Sequence, residues 1–269
     1  MNWKKMFWLV AMALGLLLIL VIVDARVSTL TSPLDNEYPN SGENAQLPLS
    51  TPSPIPLEGE WPDIDITLPQ YAMVNANKLL TSNYVPDVTK IDGTYNSMFD
   101  TAALPYLNAM IQDLKDNGFG VYVGGAYRSY SYLKQRFDGK CYSIALEMGM
   151  KGDEIWLLPE YQLAVEEAKK YIMVPGSSEH QLGLAVDLYD KQYVAQKYEN
   201  MNQKFYTYLD SICANYGFIK RYPTRKLLLT GWDEPWHYRY VGVEAATFIM
   251  ENNLCYEEFY AHYVPDFEY

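Results

Sequence analysis

Cysteine and histidine are scarce in this chain of 269 residues, with three of each. Cys141, Cys213 and Cys255 lie far apart, and none belongs to a CxxC or another metal-ligand spacing, which argues against a thiolate zinc site. In an oxidising compartment two of them can pair and leave one over; three buried free thiols are the alternative. Basic residues are also in short supply. Lys and Arg number 21 against 33 Asp and Glu, a formal net charge of -12. Nucleic-acid phosphates call for a basic face, so such a partner is not expected. There is no internal repeat. Aromatic residues, in contrast, are plentiful, with 25 Tyr and 6 Trp. They suit a packed core and also clefts that hold peptides or sugars.

Long apolar runs are absent except one, Met6–Val23, which follows Lys4 and Lys5 and precedes Asp24 and Arg26. Its length suffices to span a bilayer as a helix, and the preceding lysines predict a cytoplasmic N-terminus. The competing reading is a cleaved signal peptide, with Val23 and Ala25 as the small residues of the cleavage site. No cysteine follows the run, so lipoprotein attachment is excluded. Residues 1–26 are therefore read as a membrane anchor or signal segment, and both readings place the remainder outside the cytoplasmic membrane. Residues 27–67 are rich in Ser, Pro, Asn, Asp and Glu and read as a flexible extracellular linker. The folded domain is expected over 68–269.

Within it, the spacing predicts a helix over 98–117 closed by Gly118, then a strand in "FGVYVGGAY" that runs into a tight turn. Further helices are expected over 159–173, 201–216 and 243–252. Strands are expected in "LGLAVDLY", "KLLLTGW" and "HYRYVG". Without a regular βαβ repeat, the fold class is α+β: one domain with a small, mainly antiparallel sheet flanked by helices.

Two of the three histidines sit in distinctive settings. His180 opens "HQLGLAVD", with Asp187 seven residues on, and His237 closes "EPWH", three residues after Glu234. Neutral imidazole and carboxylate are good zinc ligands, and three protein ligands make an open, catalytic site. Glu234 has the chemistry of a general base. In an ideal strand, residues three apart point to opposite faces, so Glu234 and His237 share a site only if the chain bends, and Pro235 offers a bend. Asp190 and Asp233 are rival carboxylates that spacing does not dismiss. His262, in an acidic, Tyr-rich tail, reads as a surface residue.

"VPGSSEHQLGLAVDL" and "EPWHYRYVG", with "GGAYRSYSY" and "MVNANKLLTSNYVPDVTKI", resemble in order the VanY-type D-alanyl-D-alanine carboxypeptidases, zinc metallopeptidases of peptidoglycan. The resemblance covers roughly residues 70–245. It implies Zn2+ held by His180, Asp187 and His237, Glu234 as catalytic base, and Arg128 in the substrate cleft. Ser178 and Gln181 flank the first ligand and are candidates for hydrogen bonds to the peptide, or for shaping the loop. In one departure, Leu133 stands where the family commonly has Gln, and Gln135 follows two positions later. The implied activity is zinc-dependent D,D-carboxypeptidase action on peptidoglycan stem peptides. The rivals are an L,D-carboxypeptidase or endopeptidase with the same metal site, a non-catalytic wall-binding module, and a purely structural surface protein.

Overall fold

Asp187 lies mid-strand in the most deeply buried part of the chain, and the architecture can be followed outward from there. The computed structural model describes residues 60–190 and 201–268. The expected anchor or signal segment, and all of the expected linker up to residue 59, lie outside those residues. Among the described residues, no helix is long and apolar enough to cross a membrane.

The chain order is β1 (Val88–Lys90), β2 (Met98–Asp100), α1 (Leu104–Asp116), β3 (Tyr122–Gly125), α2 (Tyr130–Glu147), α3 (Tyr161–Ala168) and β4 (Ala185–Tyr189). There follow α4 (Gln203–Ile212), β5 (Phe218–Tyr222), α5 (Leu227–Thr230), β6 (Glu234–Tyr240), α6 (Val243–Glu251) and α7 (Tyr256–Tyr263). β1 and β2 form a small antiparallel pair, and the main sheet has the order β3-β4-β6-β5 with every pairing antiparallel. The α+β expectation with a small antiparallel sheet is met.

Strand periodicity sorts the side chains by face. Val186, Leu188 and Tyr238 join Phe218 in a core with Leu107, Met110 and Leu114 of α1 and Phe205 and Leu209 of α4. The alternate residues Asp187, His237 and Arg239 face the other way, and all three are buried. A second core holds Ile219 and Val241 against Ala245, Ala246 and Ile249 of α6 and Tyr256 and Phe259 of α7. A third core is purely helical, joining Phe137, Cys141 and Ile144 of α2 to Ile155 and to Ala164 and Ala168 of α3.

Several boundaries differ from expectation for local reasons. Residues 98–100 are strand, not helix. Asp100 Oδ1 accepts from Ala102 N and Ala103 N, both at 3.0 Å, which turns the chain before α1 begins. The "KLLLTGW" segment is the short helix α5, closed by Gly231 N donating to Leu227 O at 2.8 Å, because an apolar run without alternation fits a helical turn as well as a strand. The long helix α2 was not anticipated; its cap is Ser129, whose side chain accepts from Tyr132 N at 3.2 Å. The expected 159–173 helix contracts to α3. All three cysteines are buried and free, so the alternative of free thiols is the one observed.

Packing also begins ahead of residue 68. Trp61 stacks on His262 with centroids 3.7 Å apart and lies 4.7 Å from Phe248, and Ile64 and Ile66 pack on the second core. His262 itself is exposed, as expected, and serves as a lid on the indole. Since Trp61 is only half-buried, Trp61→Ala should destabilise the domain by about 2 kcal/mol, below the loss typical of a fully buried Trp. Urea unfolding of wild type and variant measures this, and an unchanged midpoint would refute the packing role.

Candidate metal centre and active site

A carboxylate in the middle of a central strand is costly unless it is paired and hydrogen-bonded. All five residues of β4 are buried, and Asp187 is the third of them. Its two oxygens have separate partners. Oδ2 receives Arg128 Nη2 at 2.8 Å. Oδ1 lies 3.2 Å from His180 Nε2 and 3.1 Å from His237 Nδ1. Burial opposes ionisation of Asp187, but the neighbouring His180 and Arg128 hold its carboxyl well below the usual range.

Each partner is delivered by local structure. His237 is the register partner of Asp187 across the β4–β6 ladder. His180 comes from the helical turn Glu179–Leu182, which ends at Gly183 in the left-handed region, φ 77°. A Cβ there would meet Val88 Cγ1 at 2.9 Å, so this reversal belongs to glycine. Arg128 leaves the end of β3 with its backbone N donating to His180 O at 3.1 Å. Gly125 pairs with Asp187 in the β3–β4 ladder, and a Cβ on it would occupy the space of the Arg128 guanidinium and the Asp187 carboxylate.

Glu234 reaches the same place because β6 is irregular. Lys220 pairs with Tyr238 and Tyr222 with Glu234, so two steps along β5 oppose four along β6. Regular alternation does not hold across this break in register, and Glu234 Oε2 comes 3.6 Å from His237 Nδ1. Pro235, which has no N–H to donate, falls within the irregularity. The Glu234 side chain is 23% exposed against 1% for His237, so it forms the open edge of the cluster. Burial pushes its carboxyl up to about 7; His237 opposes this, Asp187 adds to it, and Arg128 opposes it.

The tautomers follow from the partners. His180 Nδ1 faces the Ala126 carbonyl at 2.7 Å, and a carbonyl only accepts, so Nδ1 carries the proton and Nε2 keeps its lone pair. Burial and Arg128 lower the His180 pKa to about 4, so the ring is neutral at pH 7. His237 Nε2 faces Glu179 Oε2 at 3.3 Å and Nδ1 faces Asp187. Burial works against a charge on this ring, but the hydrogen bonds to Asp187 and Glu179 raise its pKa to about 9.

This donor set fits a divalent cation. His180, Asp187 and His237 each offer one ligand atom, all within 4.8 Å of one another. A tetrahedral ion bonded at about 2.0–2.1 Å sets its nitrogen and oxygen ligands roughly 3.3 Å apart. The 3.1 and 3.2 Å contacts to Asp187 Oδ1 match that spacing. The proton held by His237 among three carboxylates sits where a cation would relieve the same negative charge.

The rival carboxylates are elsewhere. Asp190 accepts from Gly120 N and Asn202 Nδ2, and Asp233 accepts from the Thr224 hydroxyl. Ser178 is buried just ahead of the helical turn and its side chain does not cap it. Gln181 is fully buried, and its Nε2 donates to Thr81 O at 2.9 Å. That bond ties the 73–91 segment to the loop, the loop-shaping alternative for this residue. Leu133 points into the protein from α2 while Gln135, two residues on, is exposed. Trp236 is core, 6.1 Å from Tyr189. Glu179, buried with two arginines, was not singled out from the sequence; its signal was its place beside His180.

A family model described as VanY, D-alanyl-D-alanine carboxypeptidase, matches residues 96–243. The chain is 34% identical over 188 residues to a D-alanyl-D-alanine carboxypeptidase of Enterococcus faecalis, over 70% of this chain and 64% of that protein. It thus spans just under two thirds of that relative's length. It is similar to the vancomycin-resistance D,D-pentapeptidase VanY of a VanB-type cassette in complex with Zn(II), with TM-score 0.57 and 30% identity, over 71% of this chain and 99% of the other. It is likewise similar to the LdcB LD-carboxypeptidase, with TM-score 0.57 and 28% identity, over 75% and 92% of the two chains.

Gly125→Ala should force Arg128 and Asp187 apart. The expected outcome is a loss of about 1–3 kcal/mol, as for other overpacked sites, together with weakened divalent-metal retention on dialysis. Thermal unfolding and metal analysis of one preparation test both.

Proposed function

The chain belongs to the VanY family of D-alanyl-D-alanine carboxypeptidases, and from that premise we propose that it is a zinc metallopeptidase removing the C-terminal D-amino acid from peptidoglycan stem peptides. The observation that carries the reading is the convergence of His180 Nε2 and His237 Nδ1 on Asp187 Oδ1, with Glu234 at the open edge. His180, Asp187 and His237 would hold the zinc. When bound, it supplies Lewis acidity that polarises a carbonyl and favours water as a nucleophile near neutral pH.

The remaining work falls to the chain's own groups. Glu234, with a carboxyl raised to about 7, takes a proton from the attacking water and returns one to the leaving amine. Arg128 is held on Asp187 at 2.8 Å and is 20% exposed. Its planar guanidinium suits either the oxyanion that develops at the scissile carbonyl or the terminal carboxylate of the peptide. Gln181, bonded to Thr81 O, then shapes the loop that presents His180, and Ser178 beside it is the candidate for a hydrogen bond to the peptide. The outer side of the cytoplasmic membrane is where this substrate lies, and Lys4, Lys5 and the Met6–Val23 run support delivery there.

A second reading, L,D-carboxypeptidase action, is favoured by the similarity to LdcB. Incubating the protein with defined tetrapeptide and pentapeptide stems and identifying the released amino acid separates the two. Release of the fifth residue from pentapeptides supports the first reading. Cleavage of tetrapeptides alone supports the second, and no cleavage of either refutes both.

Glu234→Gln keeps size and hydrogen bonding but removes basicity. Zinc content should survive while turnover falls by at least about 10²-fold. Asp233→Asn, at the half-buried neighbour bonded to the Thr224 hydroxyl, should change turnover far less. Loss of zinc from Glu234→Gln would make Glu234 a ligand instead. Arg128→Lys keeps charge but loses the planar fork, so turnover should drop with zinc content unchanged. Near wild-type kinetics would assign Arg128 a structural role.

A further inference from the structure

Beneath the three candidate ligands lies a cluster of charged side chains with almost no exposure. Glu179 and Arg239 are 0% exposed, Arg221 1% and Glu257 3%. Glu179 Oε1 receives Arg221 Nε at 2.8 Å. Arg239 Nη1 approaches the same oxygen at 2.9 Å as an ion pair. Arg221 turns its two terminal nitrogens to Glu257, Nη1 to Oε2 at 2.9 Å and Nη2 to Oε1 at 2.6 Å. Arg239 Nη2 donates to the carbonyls of Gln70 and Ala72 at 3.0 and 3.1 Å. The Tyr256 ring lies beside both guanidinium groups, 5.4 and 5.5 Å from its centroid.

Two carboxylates and two guanidiniums balance in this cluster, and most of its bonds are accounted for by its own members. One oxygen is not. Glu179 Oε2 points out of the cluster to His237 Nε2, at 3.3 Å. We infer that Glu179 is the positioning residue for His237: it accepts the Nε2–H bond, leaving Nδ1 as the metal-directed atom. The inference rests on the reading of His180, Asp187 and His237 as zinc ligands.

The geometry supports this in two ways. An imidazole in a strand can present either nitrogen, and a fixed acceptor on one of them selects the other. Glu179 is such an acceptor because both arginines meet Oε1, which holds the carboxylate plane and aims Oε2. His180 is treated the same way by a different group, the Ala126 carbonyl at 2.7 Å from Nδ1. Thus each candidate histidine ligand has one nitrogen at the cluster and the other on a buried acceptor. Glu179 acts through His237 and has no exposure through which to touch a substrate.

The test compares Glu179→Gln with Glu257→Gln in the full-length protein. Both remove one carboxylate from Arg221, but only the first touches His237. Zinc affinity is read by chelator competition, stability by thermal unfolding, and the His237 tautomer by ring-nitrogen NMR of the zinc-loaded protein. Glu179→Gln should weaken zinc binding by about 10- to 100-fold, the usual effect of losing such an acceptor. Glu257→Gln should lose stability yet bind zinc nearly as wild type does. In wild type the His237 Nε2 should be protonated and Nδ1 metal-bound. Equal zinc affinity in Glu179→Gln and wild type would overturn the inference, as would parallel losses in both variants. If Glu179→Gln does not fold, Glu179→Asp, which keeps the charge but withdraws it from His237, replaces it with the same expectations. Failure of the wild type to bind zinc would instead overturn the zinc reading itself.

Discussion

The structure depends on one buried carboxylate. Asp187 stands where the main sheet is most enclosed, and it is tolerable there only because four nitrogen-bearing neighbours surround it or its partners: Arg128, His180 and His237 directly, and Arg239 two pairs along the β4–β6 ladder. Much of the surrounding backbone can be understood as what this requires. β3 must carry Gly125 opposite Asp187 so that a guanidinium fits above it. The chain must reverse at Gly183 so that a histidine seven residues earlier returns to the same carboxylate. β6 must break register with β5 so that Glu234 comes within reach of His237. Removing one partner from a buried pair typically costs about 3–5 kcal/mol, because the charge left behind has no solvent to relieve it.

The sheet divides its labour by face. Val186, Leu188 and Tyr238 bury apolar area against α1 and α4 and anchor the strands. That packing fixes the backbone of the same strands, whose opposite faces carry Asp187 and His237. Functional precision on one side is thus supported by ordinary hydrophobic packing on the other. The polar face cannot be packed in the same way, and instead a closed set of charges serves as its floor.

How much of this was legible in the sequence varied with the physics of each element. His180, Asp187, Glu234 and His237 stood out because histidines are few, two of them lie at short spacing from a carboxylate, and their segments resemble the VanY family, and the structure brings the four together. The sheet's main strands were visible through their apolar and aromatic runs, except β5, whose Lys220 and Arg221 disguise it. The helix α2 was missed because Gly139 and several tyrosines dilute a buried stripe that reads plainly once Leu133, Phe137, Cys141 and Ile144 are seen on one face. The α5 segment was misread as strand because three leucines in a row carry no period. Glu179 could not be assigned because its partners Arg221, His237 and Arg239 lie between 42 and 60 positions away, and nothing local records such a meeting. The start of packing at Trp61 was hidden by a surrounding sequence that looks like linker.

Glu257 belongs to α7, which follows the last of the four site residues by about twenty positions and lies beyond the stretch that matches the family model. Arg221 therefore emerges from synthesis well before the carboxylate that clasps both of its terminal nitrogens. Until α7 docks, a guanidinium beneath His237 lacks its bidentate partner and must keep water around it, so the floor of the site stays wet. The floor of the site is therefore complete only with α7 in place, and a chain interrupted before α7 would carry every catalytic side chain on an unfinished foundation.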